Sequence, residues 1–311
     1  MHYVGVDLAW GERARTGVAV LDDTGRLIRS TTVRTDAEIA TAVAPPDAGP
    51  SVIAIDAPIV VPNATGSRRA EQLLHQQFGR YDAGAHPSNR SRPYFDPPRA
   101  ARLAGTHGWD VDPAHRPDGS RTVAIEVYPH PAMVALFGLG RVIPYKVKPG
   151  RTLDTLRDAW GALLDHVDRV CGPVLRTDES PRWAQIRRTV DAAGRVAELR
   201  SVEDEVDAIF CAYLAWLWGT GDERMTVLGD VRDGYIVVPG PPTAPPAPRP
   251  TVRRSSPAAP ESRRDLVALV ARALRDADDA VDEAQANRLA PAVVDAILDD
   301  PAARAGLPGQ G

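Results

Sequence analysis

The amino-acid sequence predicts an α/β fold built on a mixed β-sheet that is flanked by helices. Three β-like runs follow one another near the start of the chain: Tyr3–Ala9, Gly17–Leu21 and Leu27–Val33. Residues 22–25 (DDTG), between the second and third runs, are typical of a hairpin turn. A nearly continuous apolar run at Ser51–Ala57 then indicates a strand buried on both faces, as in parallel sheets. The predicted order is therefore an antiparallel meander followed by a buried strand.

The elements between and after these strands complete one predicted domain, residues 1–239. A short helix is predicted at Asp36–Ala44 and gives the order βββαβ. The polar residues 60–120 are interpreted as an insert. Beyond the insert, the patterns predict a buried strand, three helices and a closing hairpin: Thr122–Val127, Leu153–Val170, Trp183–Leu199, a helix that begins at Ser201, and the pair Met225–Leu228 and Tyr235–Val238.

A change of composition marks the end of this domain. Residues 240–261 are dominated by Pro, Ala and Ser, which favour extended polyproline conformations and predict a linker. Residues 262–311 are predicted to form a small helical appendage, in which Ser262 caps a helix that includes Leu266–Leu274. A second short helix carries Val293, Val294, Ile297 and Leu298. The acidic stretch Arg275–Glu283 indicates a solvated face or a surface for a protein partner.

The composition is that of an ordinary globular chain, with 43% hydrophobic and 25% charged residues. Two cysteines are too few to cross-link a secreted domain, so we expect a cytoplasmic protein. The longest apolar stretch, Ala208–Trp218, is shorter than the roughly 20 residues that cross a bilayer, so no membrane span is expected. The net charge of −4 gives no overall attraction to nucleic acid, and such a partner would need a local basic patch.

Three acidic residues, Asp7, Asp56 and Glu126, stand in or directly after predicted buried strands. Burying a carboxylate is costly unless a cation or hydrogen bonds compensate its charge. The structural alternative is an aspartate at a strand end that bonds to nearby backbone, and Pro58 shortly after Asp56 suits such a turn. Three acids of this kind in one chain favour a functional site.

A further acidic motif, Ser-Val-Glu-Asp-Glu-Val-Asp-Ala, occupies residues 201–208. Asp204 and Asp207 are three residues apart and share one face of the predicted helix, which we expect to point inward. The structural alternative is strong for Asp204, because Ser201 followed by an acid three positions later resembles a capping box. This alternative is weak for Asp207, which would lie beyond the first turn.

A divalent metal ion would account for these acids together. Hard oxygen ligands without a Cys or His cluster suit Mg²⁺ or Mn²⁺ rather than zinc. Two such ions about 3.5–4 Å apart can orient water for attack on a phosphodiester and stabilise the departing oxygen. We therefore predict Asp7, Asp56, Asp204 and Asp207 as metal ligands, and the same four residues with Glu126 as the catalytic set.

Basic residues near these acids are the predicted contacts to nucleic acid. Segment 63–102 combines arginines with aromatic side chains, a combination that suits phosphate and base contacts. The selected arginines are Arg68, Arg69, Arg90 and Arg92. Lys146 and Lys148 are the only lysines of the chain, and in an extended segment they would share one side. The alternatives are a solvated lid for the arginines and a solvated edge strand for the lysines.

Taken together, these motifs resemble a family catalogued as domain of unknown function 429, whose members are labelled predicted nucleases of ribonuclease-H-like fold. The resemblance covers residues 1–239 and rests on six motifs: Gly5-Val6-Asp7, Ile55-Asp56-Ala57-Pro58, His86–Arg90, Glu126-Val127-Tyr128-Pro129, Tyr145-Lys146 and Asp204–Ala208. The last motif is similar to the final-helix Asp-x-x-Asp-Ala of bacterial Holliday-junction resolvases. By this likeness, Asp7 corresponds to the acid on the first strand of the superfamily and Asp56 to the acid that ends its fourth strand.

The resemblance implies a metal-dependent nuclease or phosphodiesterase. It departs at one position, because ribonuclease H has an acid on its first helix that Asp36 and Glu38 do not match; Glu126 would replace it. One alternative is a nucleotide-dependent phosphotransferase of the actin and sugar-kinase group. That group needs two Gly-rich phosphate-binding hairpins, for which the sequence offers only Gly11–Gly17. The other alternative is a non-catalytic binding module that keeps the fold and uses the acids structurally.

Overall fold

The computed structural model describes residues 1–11, 13–47, 49–248, 263, 266–271 and 283–299. The chain divides into two compact units, Met1–Ala247 and Pro248–Gly311. Residues 240–247, which the sequence predicts as linker, thus belong to the first unit, where the Tyr81 hydroxyl donates to the carbonyl of Ala244 at 2.7 Å. In the part of the chain that the structure describes, no helix has the length and apolarity needed to span a bilayer.

The first unit is organised around a mixed five-stranded sheet with the strand order β3-β2-β1-β4-β5. Strand β2 is antiparallel to both of its neighbours, whereas β1, β4 and β5 run parallel. This arrangement confirms the predicted meander followed by a buried parallel strand. The strands are β1 (His2–Asp7), β2 (Thr16–Leu21), β3 (Leu27–Val33), β4 (Ser51–Ile55) and β5 (Val123–Glu126).

Helices cover both faces of this sheet. The helices of the first unit are α1 (Asp36–Val43), α2 (Arg69–Phe78), α3 (Arg99–His107), α4 (Pro129–Phe137), α5 (Leu153–Val170), α6 (Gly172–Leu175), α7 (Pro181–Asp191) and α8 (Val196–Gly219). Helices α1 and α3 pack on one face, and α8 lies on the other face with α5 behind it. A hairpin of β6 (Met225–Asp230) and β7 (Gly234–Pro239) packs against α2 and α4.

The alternation of side chains along β1 assigns each residue to a face, because successive strand residues point in opposite directions. Val4 and Val6 pack with the α1 side, whereas Tyr3 packs with the α8 side. Asp7 has the same parity as Tyr3 and therefore projects toward α8. The same rule places Asp56, directly after β4, on the α8 face, since Val52 and Ala54 pack there.

The structure corrects the predicted start of the last helix. Helix α7 ends at Asp191, and α8 begins at Val196 and continues for 24 residues. Ser201 therefore lies inside α8, where its hydroxyl donates to the Glu198 carbonyl at 2.6 Å rather than capping the helix. The capping interpretation of Asp204 is wrong, because Asp204 lies beyond the second turn. Its position needs another explanation.

The predicted insert, residues 60–120, contains two helices, α2 and α3, that sequence patterns did not reveal. Both helices are short and keep a polar face in solvent, so neither produces a long apolar period. Their buried residues, such as Leu74 and Leu103, belong to the two core clusters. The segment is therefore part of the first unit's core packing as well as a surface element.

In the second unit, the structure describes a helical segment at residues 266–271 and the helix α9 (Glu283–Asp299). Ala271, Ala286 and Ala290 form its buried apolar cluster. Helix α9 begins well before Val293, so it is longer than the sequence predicts. The proposed cap Ser262, Leu274, residues 249–261 of the linker and residues 275–282 of the acidic stretch lie outside the described residues.

Candidate active site

Three aspartates from separate elements meet at the carboxyl ends of β1 and β4, beneath α8. The strands are direct neighbours here, since the Asp56 backbone N–H donates to the Val6 carbonyl at 2.8 Å. Asp7 and Asp56 both project toward α8 and are partly exposed. Asp207, on α8, is fully buried. The structure therefore brings together three of the four predicted metal ligands, with Asp204 one turn earlier on the same helix.

Two glycines allow α8 to lie this close to the sheet. A Cβ atom on Gly5 would overlap the Ala208 carbonyl oxygen, and one on Gly17 would overlap the Asp204 carbonyl oxygen. Because glycine has no side chain, the helix backbone rests directly on β1 and β2. This close approach sets the position of Asp204 and Asp207 relative to Asp7.

Asp207 is held from two sides. Its Oδ1 accepts a hydrogen bond from the Tyr145 hydroxyl at 2.6 Å, and the Nζ atom of Lys146 lies 2.8 Å from its Oδ2. The direction from Lys146 does not suit a hydrogen bond, however, so Oδ2 is a buried oxygen with an ion-pair contact but no hydrogen bond. Burial and the charge of Asp207 together raise the pKa of Tyr145, which keeps this phenol protonated and donating.

Lys146 places its ammonium group among the acids. Nζ also lies 4.0 Å from Glu203, and the side chain keeps 30% of its surface exposed. Burial of the ammonium opposes its charge, but Asp207, with further contributions from Asp7 and Asp56, outweighs burial and raises the pKa of Lys146 well above its usual value. The lysine therefore stays charged and neutralises part of the cluster.

The carboxyl groups crowd one another despite this lysine. Burial is the largest cause that raises the pKa of Asp56 to about 7; the charge of Lys146 lowers it, and the charges of Asp207 and Glu126 raise it further. Burial also raises the pKa of Asp7 well above its ordinary value, again opposed by Lys146 and reinforced by Asp207. No described residue donates a hydrogen bond to either carboxyl group. The cluster has an excess of negative charge that one lysine does not compensate.

Asp204 completes the face of α8 that looks onto the site. Its Oδ2 lies 3.1 Å from Nε of Arg15, and the side chain is partly exposed. Burial raises its pKa even though Arg15 lowers it. Asp204 contributes to the negative charge felt by Asp7. It therefore occupies the rim of the cluster rather than its interior.

Glu126 is not a member of this cluster. It is paired with Ile55 in the parallel register, one residue before Asp56, so its side chain projects to the opposite face of the sheet. There its carboxylate binds the guanidinium of Arg68 at 2.6 and 2.9 Å and accepts from the Ile59 backbone N–H at 2.9 Å. The structure thus separates Glu126 from the aspartates with which the sequence grouped it, although its charge still reaches Asp56.

Arg68, predicted to contact substrate, is buried together with Glu126. Its side chain is 1% exposed, and Nε donates to Glu71 at 2.9 Å. Arg68, Glu71 and Glu126 are therefore bound to one another inside the protein. The prediction for Arg68 is wrong, because its guanidinium is buried and bound to two carboxylates, away from any phosphate in solvent.

Unlike Arg68, most of the other basic residues predicted to contact nucleic acid are exposed. Arg69, Arg90 and Arg92 are exposed, as a nucleic-acid contact requires. Lys148 is also exposed, whereas Lys146 turns inward to Asp207. The two lysines therefore do not share one solvated side, and their segment is not a strand.

Three residues near the aspartates were not selected from the sequence. Tyr145 and Glu203 flank Lys146, and His130 lies with its ring 5.8 Å from that of Tyr145. Burial, reinforced by the charge of Lys146, lowers the pKa of His130 to about 4, so the imidazole is neutral at pH 7. The signals for Tyr145 in the sequence were its place directly before a rare lysine and the Tyr145-Lys146 motif of the family resemblance.

A cavity of about 100 Å³ opens beside the aspartates. Asp56 of the cluster contributes to its wall, together with the aromatic residues Tyr128, Trp10 and Phe95. Its charged lining also includes Arg68 and Glu126, which are bound to each other. Asp56 thus connects the acidic cluster with a mainly apolar recess.

The sequence profile of a family described as "Protein of unknown function (DUF429)" matches residues 5–232. The chain belongs to the DUF429 family. The matched region includes the four aspartates of the site, Lys146 and every lining residue of the cavity except Ile236. Neither a curated protein nor a solved structure matches the chain.

Proposed function

We propose that this DUF429 protein is a metal-dependent nuclease that hydrolyses phosphodiester bonds at the cluster of Asp7, Asp56, Asp204 and Asp207. The observation that carries the proposal is the convergence of Asp7, Asp56 and Asp207 from two parallel strands and one helix. We further propose a ribonuclease-H-like fold. A βββαβ order, a later parallel strand and a helix that closes the acidic end of the sheet support that assignment.

The ligand atoms that the four aspartates offer are of the type that binds Mg²⁺ or Mn²⁺. All four side chains offer carboxylate oxygens, which these hard ions prefer, and the buried Oδ2 of Asp207 has no hydrogen bond. Within the described residues, however, no three His, Cys, Asp or Glu side chains already stand in the arrangement of a metal site. The Nζ atom of Lys146 lies 2.8 Å from Oδ2 of Asp207, so its ammonium takes up charge that a bound ion would otherwise share.

In the proposed hydrolysis, the bound ion and the protein side chains have different roles. A bound divalent ion would polarise a water molecule and neutralise charge on the phosphate. Asp7 and Asp56, at adjacent strand ends, would hold the ion at the opening of the site. Tyr145 fixes the orientation of the Asp207 carboxylate, and Lys146, partly exposed beside it, can neutralise a phosphate or departing oxygen.

The direct test is a cleavage screen of RNA, DNA and branched oligonucleotides with Mn²⁺. We expect cleavage of at least one substrate by the wild type and loss of that activity in Asp7→Asn and Asp207→Asn. Asp165→Asn is the matched control, because Asp165 is a 70% exposed carboxylate paired with Arg187 on the outside of α5. Turnover of ATP without cleavage would instead support the phosphotransferase alternative, and inertness in both assays would support a binding module.

A further inference from the structure

An exposed aromatic platform stands next to the proposed active site. Trp10 follows Asp7 by three residues and keeps 46% of its surface exposed. Its ring stacks on Tyr94, with ring centroids 4.9 Å apart and planes 16° from parallel. Phe95 contacts the same indole edge-on at 5.2 Å. These contacts support one side of the indole, while a large part of its surface stays available to a ligand.

The platform leads into the cavity beside Asp56. Trp10 and Phe95 line this cavity together with Tyr128 and the prolines Pro58 and Pro87. A flat ring can be buried there without breaking the Arg68–Glu126 pair, because the hydrogen bonds of that pair are already made within the protein. Small-molecule sites are typically recesses of this kind, with an apolar lining and a few polar groups.

Positive charge lies beside the platform. The guanidinium of Arg92 is exposed and donates to the Tyr94 hydroxyl at 3.1 Å, so it is held next to the ring on which Trp10 stacks. Arg90 is exposed two residues earlier. Among the described residues, neither arginine forms an ion pair. Aromatic rings with adjacent arginines are the combination by which proteins bind single-stranded nucleic acids, through base stacking and phosphate contacts.

We propose that Trp10 and the adjoining cavity receive one unpaired base, and that Arg92 contacts the strand's phosphates. This inference rests on the proposed nuclease function and adds its substrate class: a single strand, or a nucleotide displaced from a duplex. A base in a duplex is stacked on its neighbours and cannot lie on Trp10 unless it is extruded. The base in the cavity would place its phosphodiester beside Asp56.

The test measures binding without cleavage. Fluorescence anisotropy in EDTA compares a labelled single strand of DNA, the same sequence in RNA, and the DNA duplex. We expect the wild type to prefer single strands of either sugar. Trp10→Ala should weaken single-strand binding by about 5- to 150-fold, the range for stacking of one base, and leave duplex binding unchanged. Trp10→Phe should retain part of the affinity.

Ile28→Ala is the matched control, because Ile28 is 44% exposed on the distant edge strand β3 and should not affect binding. Equal affinity of the wild type for duplex and single strand, no binding of either, or single-strand affinity unchanged by Trp10→Ala would each overturn the inference. A Trp10-dependent single-strand affinity without any Mn²⁺-dependent cleavage would support the inference and contradict the nuclease proposal. Cleavage that is indifferent to Trp10 would do the reverse.

Discussion

Replacing Asp56 by Asn is expected to stabilise the metal-free protein at alkaline pH and to have almost no effect at acid pH. Asn has the size of Asp but no charge, so it removes repulsion within the cluster. No described residue donates a hydrogen bond to the Asp56 carboxyl group, so the replacement breaks no bond of that kind. A carboxylate that stabilised the fold would behave in the opposite way.

The magnitude follows from the pKa of Asp56, which burial and its acidic neighbours raise from 3.8 to about 7. The folded protein therefore binds a proton more tightly than the unfolded chain, and the free energy of unfolding falls as pH rises between these two values. A shift of about three units at about 1.36 kcal/mol each sets an upper limit of about 4 kcal/mol. Partial exposure and relaxation of Lys146 reduce this, and we expect about 1–3 kcal/mol at pH 8.

Urea unfolding in EDTA at pH 4.5, 6, 7 and 8 measures the effect. Tryptophan fluorescence is a suitable probe, because all six tryptophans belong to the first unit. The difference between Asp56→Asn and wild type should grow with pH, whereas Asp165→Asn, on the surface of α5, should show no such trend. A variant less stable than wild type at every pH would show that Asp56 is a structural carboxylate and would refute the reasoning.

Three further predictions concern the neighbouring charges. Lys146→Met should lower metal-free stability at pH 8 by about 1–3 kcal/mol, because Asp207 loses its ion-pair partner, and should strengthen Mn²⁺ binding, because a competing cation is removed. Lys148→Met should change neither quantity. Equal effects of the two substitutions would contradict the account. Arg68→Met should cost about 3–5 kcal/mol in urea unfolding, since it leaves Glu126 unpaired and buried, whereas the exposed Arg69→Met should be neutral. The rise in melting temperature caused by Mn²⁺ should increase from pH 6 to pH 8, because ligand carboxyls must lose their protons before an ion binds; a rise independent of pH would contradict this.

Local patterns were sufficient to predict the sheet and the aspartates that end its strands. Apolar runs and turn residues define β1 to β5 to within a residue or two, because a buried strand and the turn that ends it each leave a pattern in consecutive residues. Asp7 and Asp56 were identifiable because an acid at the end of a buried strand is unusual. The convergence of these two with Asp207 required the further fact that β1 and β4 are adjacent.

The errors concern relations between distant residues. Glu126 has the same local signature as Asp7 and Asp56, yet the register between β4 and β5 places it on the other face, where Arg68 binds it. No pattern within either segment encodes that register. Ser201 carries a capping signature that the continuing helix overrides, because α8 is stabilised by packing on the sheet.

Direct measurement of Mn²⁺ binding tests the central claim that the aspartate cluster is a divalent-cation site. Titration of the wild type, followed by the electron paramagnetic resonance signal of free Mn²⁺, should show saturable binding at pH 8. Asp207→Asn should abolish that binding while Asp165→Asn retains it. Binding that is absent from the wild type, or that persists unchanged in Asp207→Asn, would contradict the assignment of the cluster as a metal site and, with it, the proposed hydrolysis.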